Sequence, residues 1–201
     1  TEHPLVAVSL NNLATALRAQ GHYDEAEVPI REALAINRAV FGNAHPHVAD
    51  NMNTLAALYR RKGHYDEAER LLREAMAVYH ELYGPGHSIL AYSLTNLGEV
   101  LRDKRDYDGA EQTHREALAL VRQNVGEDNP GVGIITGFVA RVLYEKGDYP
   151  AAASLYREAL AQLQRSLPEG HERTRGMAGG LGASLAALGR YDEAEPQLRE
   201  A

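Results

Sequence analysis

The stretch GHYDEAE at residues 21–27 returns unchanged at 63–69, then as RDYDGAE at 105–111, GDYPAAA at 147–153 and GRYDEAE at 189–195. The tyrosines Tyr23, Tyr65, Tyr107, Tyr149 and Tyr191 stand 42 residues apart without an insertion. A fixed period of this length marks a repeat architecture, in which one short unit is copied and stacked. Other columns keep the same phase: Ala26, Ala68, Ala110, Ala152 and Ala194; Leu13, Leu55, Leu97, Val139 and Leu181; Ala14, Ala56, Gly98, Ala140 and Gly182; Leu17, Tyr59, Leu101, Leu143 and Leu185. Recurrence at an architectural interval makes GHYDEAE a joint rather than an active sequence.

Upstream of the joint, VAVSLNNLATAL places Leu10, Leu13, Ala14 and Leu17 at the three-and-four spacing of a packed helix face. Downstream, Ala26, Ile30, Ala33, Leu34 and Val40 form a second stripe. Each unit is thus expected to be two antiparallel helices followed by a loop such as FGNAHPH, YGPGHS or VGEDNPG. Gly42, Gly84 and Gly126 suit helix ends, and Pro46 and Pro130 suit helix starts. No alternating run reads as a strand. One helix pair has too little interior to stand alone, so each buries its apolar face on the next. Alanine or glycine in the 14, 56, 98, 140 and 182 column permits close approach. The expected class is all-α, an alpha-alpha superhelix with a concave and a convex face. It forms a single domain over 1–201, with repeats near 5–46, 47–88, 89–130, 131–172 and 173–201.

At the joint, Asp24 with Glu27, Asp66 with Glu69, Asp108 with Glu111, and Asp192 with Glu195 read as capping boxes, the aspartate being the N-cap. The fourth unit has Pro150 instead, suited to a first turn.

The 201 residues carry 21 basic and 28 acidic side chains, a net charge of -7, and no cysteine. The acidic balance argues against nucleic acid or an anionic membrane as partner. Disulfides and thiolate chemistry are excluded. No apolar run approaches the ~18–20 residues of a membrane-spanning helix. The last helical pattern is unfinished at Ala201, so the chain is read as a fragment of a longer protein, with the cytoplasm as its expected location.

The elements LNNLA (10–14), MNTLA (52–56) and LTNLG (94–98) recur along the chain. With them go GHYDEAE, REAL (31–34 and 157–160), REAM (73–76) and FGNAHP. Together they resemble tetratricopeptide repeats of the 42-residue kind found in kinesin light chains and many bacterial proteins. The resemblance implies that the first helix of each pair lines a groove that holds an extended peptide, with asparagines on the peptide backbone and basic residues on acidic ligands. Carried over by register, the groove candidates are Asn11, Asn12, Arg18, Asn53, Arg60, Arg61, Tyr92, Asn96, Arg102, Phe138, Arg141 and Tyr144. The residues themselves agree in part. Arg18, Arg60 and Arg102 share one column, and guanidinium groups fork onto carboxylates.

The function expected is a non-enzymatic scaffold for a protein or peptide ligand, an acidic one on the arginine argument. Self-association, or a regulatory sensor arm in a larger protein, is the alternative; a structural part of an enzyme comes last. No cofactor or metal is expected. His22 and His64 share one repeat position, and His45, His87 and His171 another, so they are spread along the array rather than converging on one ion. The glycine-rich GMAGGLGASLAALG at 176–189 falls where a first helix belongs, not after a strand as a dinucleotide loop requires. Its glycines, each worth ~1 kcal/mol against alanine in a helix, make the fifth unit the one expected to be least stable.

Overall fold

The computed structural model describes residues 3–201. Ten α-helices and no strand occupy the described residues: α1 (Pro4–Ala19), α2 (Tyr23–Phe41), α3 (Pro46–Lys62), α4 (Tyr65–Tyr83), α5 (Leu90–Asp103), α6 (Tyr107–Val125), α7 (Pro130–Glu145), α8 (Tyr149–Ser166), α9 (Glu172–Ala187) and α10 (Tyr191–Glu200). The class is all-α, a solenoid of antiparallel helix pairs, as the period requires. The chain divides into two compact units, one ending at Lys104 and one beginning at Arg105. In the first, α1 pairs with α2 and α3 with α4, while α2 packs on α3 and α4 on α5. In the second, α7 pairs with α8 and α9 with α10, while α6 packs on α7 and α8 on α9. The small-residue columns make this possible: Ala26, Ala68, Ala110 and Ala152 are fully buried, as are Ala56 and Ala140. At interior packing density a larger side chain there would hold the helices apart.

The shared histidine position turns out to cap first helices. His3, His45 and His171 each stand at an N-cap, Nδ1 accepting from Leu5 N–H at 3.2 Å, His47 N–H at 3.2 Å and Arg173 N–H at 3.1 Å. His87 takes the Ile89 N–H at 3.2 Å in the same register, and Asn129 accepts from Gly131 N–H at 2.8 Å. Phe41 stacks on His45, and Tyr83 on His87, four residues before each ring. Because Asn129 performs the same task, His171→Asn should keep the stability of α9, whereas His171→Ala should lose about 1 kcal/mol in thermal denaturation. An equal loss in both variants would assign the effect to the ring's packing instead.

The capping boxes are not formed. Tyr23, Tyr65, Tyr107 and Tyr191 are already the first helical residues, so Asp24, Asp66, Asp108 and Asp192 stand inside the first turn. No side chain caps α2, α4 or α10. Where a side chain does cap, it precedes the tyrosine: Asp106 accepts from Gly109 N–H at 3.0 Å and Asp148 from Ala151 N–H at 3.1 Å.

The carboxylates of the joint instead hold the next repeat. Lys62 Nζ lies 2.8 Å from Asp24 and 2.6 Å from Glu27. Lys104 lies 2.6 Å from Asp66 and 2.7 Å from Glu69, and Lys146 lies 2.6 Å from Asp108 and 2.8 Å from Glu111. In the fourth repeat Pro150 and Ala153 replace both carboxylates, and one period on Leu188 replaces the lysine. Donor and acceptors are thus lost together.

Hydrogen bonds that each lysine donates, to its aspartate and then its glutamate, hold the three lysines above the ordinary 10.5. The Lys62 bond, then Arg31, holds Glu27 below 4.5 against its burial; burial pushes Glu111 up, but Lys146 and Arg115 outweigh it. A raised lysine stabilises the fold fully below its unfolded value and ceases to as pH rises through the folded one. A depressed carboxylate contributes above its unfolded value and ceases to as pH falls through the folded one. The melting temperature should therefore be flat across neutral pH, falling below 4.5 and above 10.5. A triple Lys62→Met, Lys104→Met, Lys146→Met variant should flatten the alkaline limb. An alkaline limb identical to that of the parent would refute the clamp.

The glycine-rich segment is helical throughout α9, with α8 and not a strand before it. Three of its glycines, Gly179, Gly180 and Gly182, are sites of close approach in the second unit. A Cβ on Gly180 would overlap the buried Tyr156 ring, and one on Gly182 would come within 2.7 Å of Leu198. Arg105, where other repeats have glycine, is the one described non-glycine residue with positive φ, at 65°.

Candidate functional site

Within the first unit α1 meets α3 and α3 meets α5 along their flanks. On the opposite side a cleft of about 550 Å³ separates α2 from α4. The first helices are thus the closely spaced side of this unit, and their outward side chains share one face. In the second unit α7 meets α9 in the same way.

Nine of the groove candidates lie on α1, α3 and α5. Arg60 is engaged: its guanidinium donates to Glu99 and Asp103, each at 3.1 Å, and its side chain is 17% exposed. Arg102 is engaged as well, 2.6 Å from Asp103 and 3.6 Å from Glu99. Arg18 and Arg61 make no ion pair with any described residue, and the buried Nε of Arg18 has no acceptor. The asparagines divide in the same manner. Asn11 accepts from Asn51 at 3.1 Å, and Asn51 in turn from Asn37 at 2.7 Å, a polar link joining α1, α3 and α2. Asn53 is buried and donates to the Ala49 carbonyl at 3.1 Å, leaving its Oδ1 without a partner. The Nδ2 of half-buried Asn96 is likewise unpartnered, and Asn12 is exposed. Tyr92 is 59% exposed. The neighbouring Tyr79 donates to Asp50 at 2.5 Å, and burial, reinforced by that carboxylate, raises its hydroxyl far above the ordinary range.

In the second unit the three remaining candidates sit on α7. Phe138 lies against the buried His114 ring, centroids 5.4 Å apart, and the Arg141 guanidinium stands 5.1 Å from the Phe138 ring centroid. A guanidinium over an aromatic face is held by the ring quadrupole. Tyr144 packs on Tyr149 at 5.3 Å, at the joint.

The sequence reading missed the Asn37–Asn51 link and the lysine clamp. Asn37 and Asn51 give no periodic signal, since Asn51 is followed one period later by Ser93 and then Ile135. The clamp did leave a signal, the lysines recurring at 62, 104 and 146 with the same period as the carboxylates.

Among the described residues no helix is long and apolar enough to cross a membrane, and no group of three histidine or acidic side chains is placed to hold a metal ion. No curated protein matches the chain. The fold is similar to that of BtubC (BKLC) from P. vanneervenii, with a TM-score of 0.82 at 24% identity, over 98% of this chain and 78% of that one. A kinesin-light-chain-like protein of Podosopora anserina, built of nearly identical TPR-like repeats, gives 0.79 at 21% identity over 100% and 95%. PilF of Pseudomonas aeruginosa gives 0.70 at 19% over 97% and 74%. Models of the family described as tetratricopeptide repeat match residues 6–47, 48–123, 88–165 and 134–201. With that match running from the first helix to the last, this chain belongs to the tetratricopeptide-repeat family.

Proposed function

We propose that this chain is a non-enzymatic scaffold that holds an extended, acidic segment of a partner protein on its first-helix faces. The general role is that of its family, a helical frame for a protein or peptide partner. The acidic preference rests on one comparison between repeats. Arg60 finds Glu99 and Asp103 at 39 and 43 residues further along the chain. At the same offsets Arg18 finds Ala57 and Arg61. Where the next repeat closes an arginine with two carboxylates, this repeat has two guanidiniums and none. A ligand carboxylate supplies the missing charge, with the fork geometry that favours arginine. Exposed Asn12 offers a donor and an acceptor to a peptide main chain. Tyr92, exposed on α5 of the same unit, is of a residue type that dominates binding energy.

Fluorescence anisotropy with a labelled glutamate-rich peptide tests the placement. Arg18→Glu and Arg61→Glu should each weaken binding by about tenfold, ~1.4 kcal/mol, without lowering the melting temperature. Affinity in the parent should fall as salt is raised. Binding indifferent to both substitutions would remove the peptide from this face. The second reading, self-association, is favoured by Leu5, Val8 and Leu13 on α1, of which Leu13 is 50% exposed while Leu55, Leu97, Val139 and Leu181 in its column are buried. Sedimentation showing concentration-dependent mass without peptide binding would support that reading.

A further inference from the structure

The cleft between α2 and α4, on the side of the first unit away from the first-helix face, carries its own chemistry. Its walls present Arg31 and Arg38 from α2 and Arg70 from α4; its floor is Leu34, Leu55 and Leu71. At the inner end the Arg31 guanidinium donates to the Tyr59 hydroxyl, lies 5.7 Å over that ring and donates to Glu27 at 2.8 Å. Glu67 also lines the space. It is the one lining carboxylate without a cation, since Glu27 is held by Lys62 and Arg31.

The second unit carries an ion pair across the corresponding pair of helices. There Arg122 of α6 reaches across to Glu158 of α8 at 3.1 Å, and Leu143 stands in the column of Tyr59. The corresponding residues of the first unit are Arg38 and Glu74. Glu74 is instead taken by Arg70 on its own helix at 2.5 Å, and Arg38 makes no ion pair with any described residue. The strap is undone, and a hydroxyl replaces an apolar side chain at the back of the space. About 550 Å³ is left open, within the range of small-molecule sites.

The geometry points to a binding site for a small organic oxyanion, a phosphate or carboxylate on an apolar body. Arg38 takes the oxyanion as the charge that Glu158 supplies to Arg122, with Arg70 on the facing wall. The leucine floor takes the body, and the Tyr59–Arg31 end sets the depth to which it enters. An oxyanion without a body leaves the floor wet, so inorganic phosphate binds more weakly than an aryl phosphate of the same headgroup.

The experiment titrates the full chain with phenyl phosphate, benzoate and inorganic phosphate, following backbone and arginine Nε–H signals by NMR. Phenyl phosphate or benzoate should give saturable shifts confined to α2, α3 and α4 around the cleft, and the stronger of the two identifies the headgroup. Inorganic phosphate should bind at least about tenfold more weakly, and Arg38→Gln should weaken the aryl probe by about tenfold, ~1.4 kcal/mol. Tyr59→Leu, which restores the residue type of the second unit, should weaken it too, while Arg122→Gln should change nothing. No saturable shift at these residues with either aryl probe overturns the site. So does binding that Arg38→Gln and Tyr59→Leu both leave intact, or shifts that follow Arg18 and Arg61 instead.

Discussion

Arg60→Glu should destabilise the first unit by roughly 2–4 kcal/mol, far more than a surface charge reversal costs. In the native chain the Arg60 guanidinium sits between Glu99 and Asp103, mostly out of solvent. Reversal sets three carboxylates together at the α3–α5 packing, with Arg102 as the nearest compensating cation. Residual exposure screens part of the repulsion, which places the figure below the full cost of an orphaned buried charge. A melting temperature lower by several degrees should result, with hydrogen exchange accelerated in α5 before α1. A variant that melts with the parent would show that the two ion pairs hold nothing. Loss of peptide binding in Arg60→Glu would say little about ligand contact, whereas Arg18 and Arg61 separate binding from folding.

The second large effect is expected at the glycines of α9, and its sign depends on the position. Gly176 has open space where a Cβ would stand, so Gly176→Ala should stabilise the helix by about 0.5–1 kcal/mol. At Gly180 the same methyl meets the Tyr156 ring, which is packed among Leu160, Ala178 and Leu181. Gly180→Leu should therefore cost about 3 kcal/mol or more, overpacking outweighing the gain in helix propensity. Urea denaturation and hydrogen exchange of α9 and α10 measure both. Equal stabilisation by the two substitutions would mean that the ring moves freely and that the glycines serve no packing purpose.

The helix pairs were legible because the period repeats every constraint five times. An alanine that is buried once could be chance, but five in phase define a face. What a local reading could not deliver was partnership across repeats. Asp24 resembled an N-cap because it precedes an apolar stripe by the right number of residues. Its partner, Lys62, lies almost two helices further on, at the end of α3, beyond any local motif. The same limit governed the arginines. The column Arg18, Arg60 and Arg102 was plain in the sequence, but which of them is engaged depends on residues 39 and 43 positions later. Those residues are carboxylates after Arg60 and are not after Arg18. The candidate face was thus half legible: its residues by register, their availability only from the packing of the next repeat.

The lysine clamp has a consequence for how such a chain changes over generations. A repeat carrying Lys62, Lys104 or Lys146 is addressed to a predecessor with an acidic pair, while the repeat carrying Leu188 is addressed to one that has Pro150 and Ala153. Duplicating or exchanging the second and third repeats leaves every address matched. Moving the fifth repeat behind the first sets Leu188 against Asp24 and Glu27, and moving the second behind the fourth leaves Lys62 with no acid to meet. The array behaves as an ordered text with two kinds of junction, in which recombination is free within a kind and penalised between them.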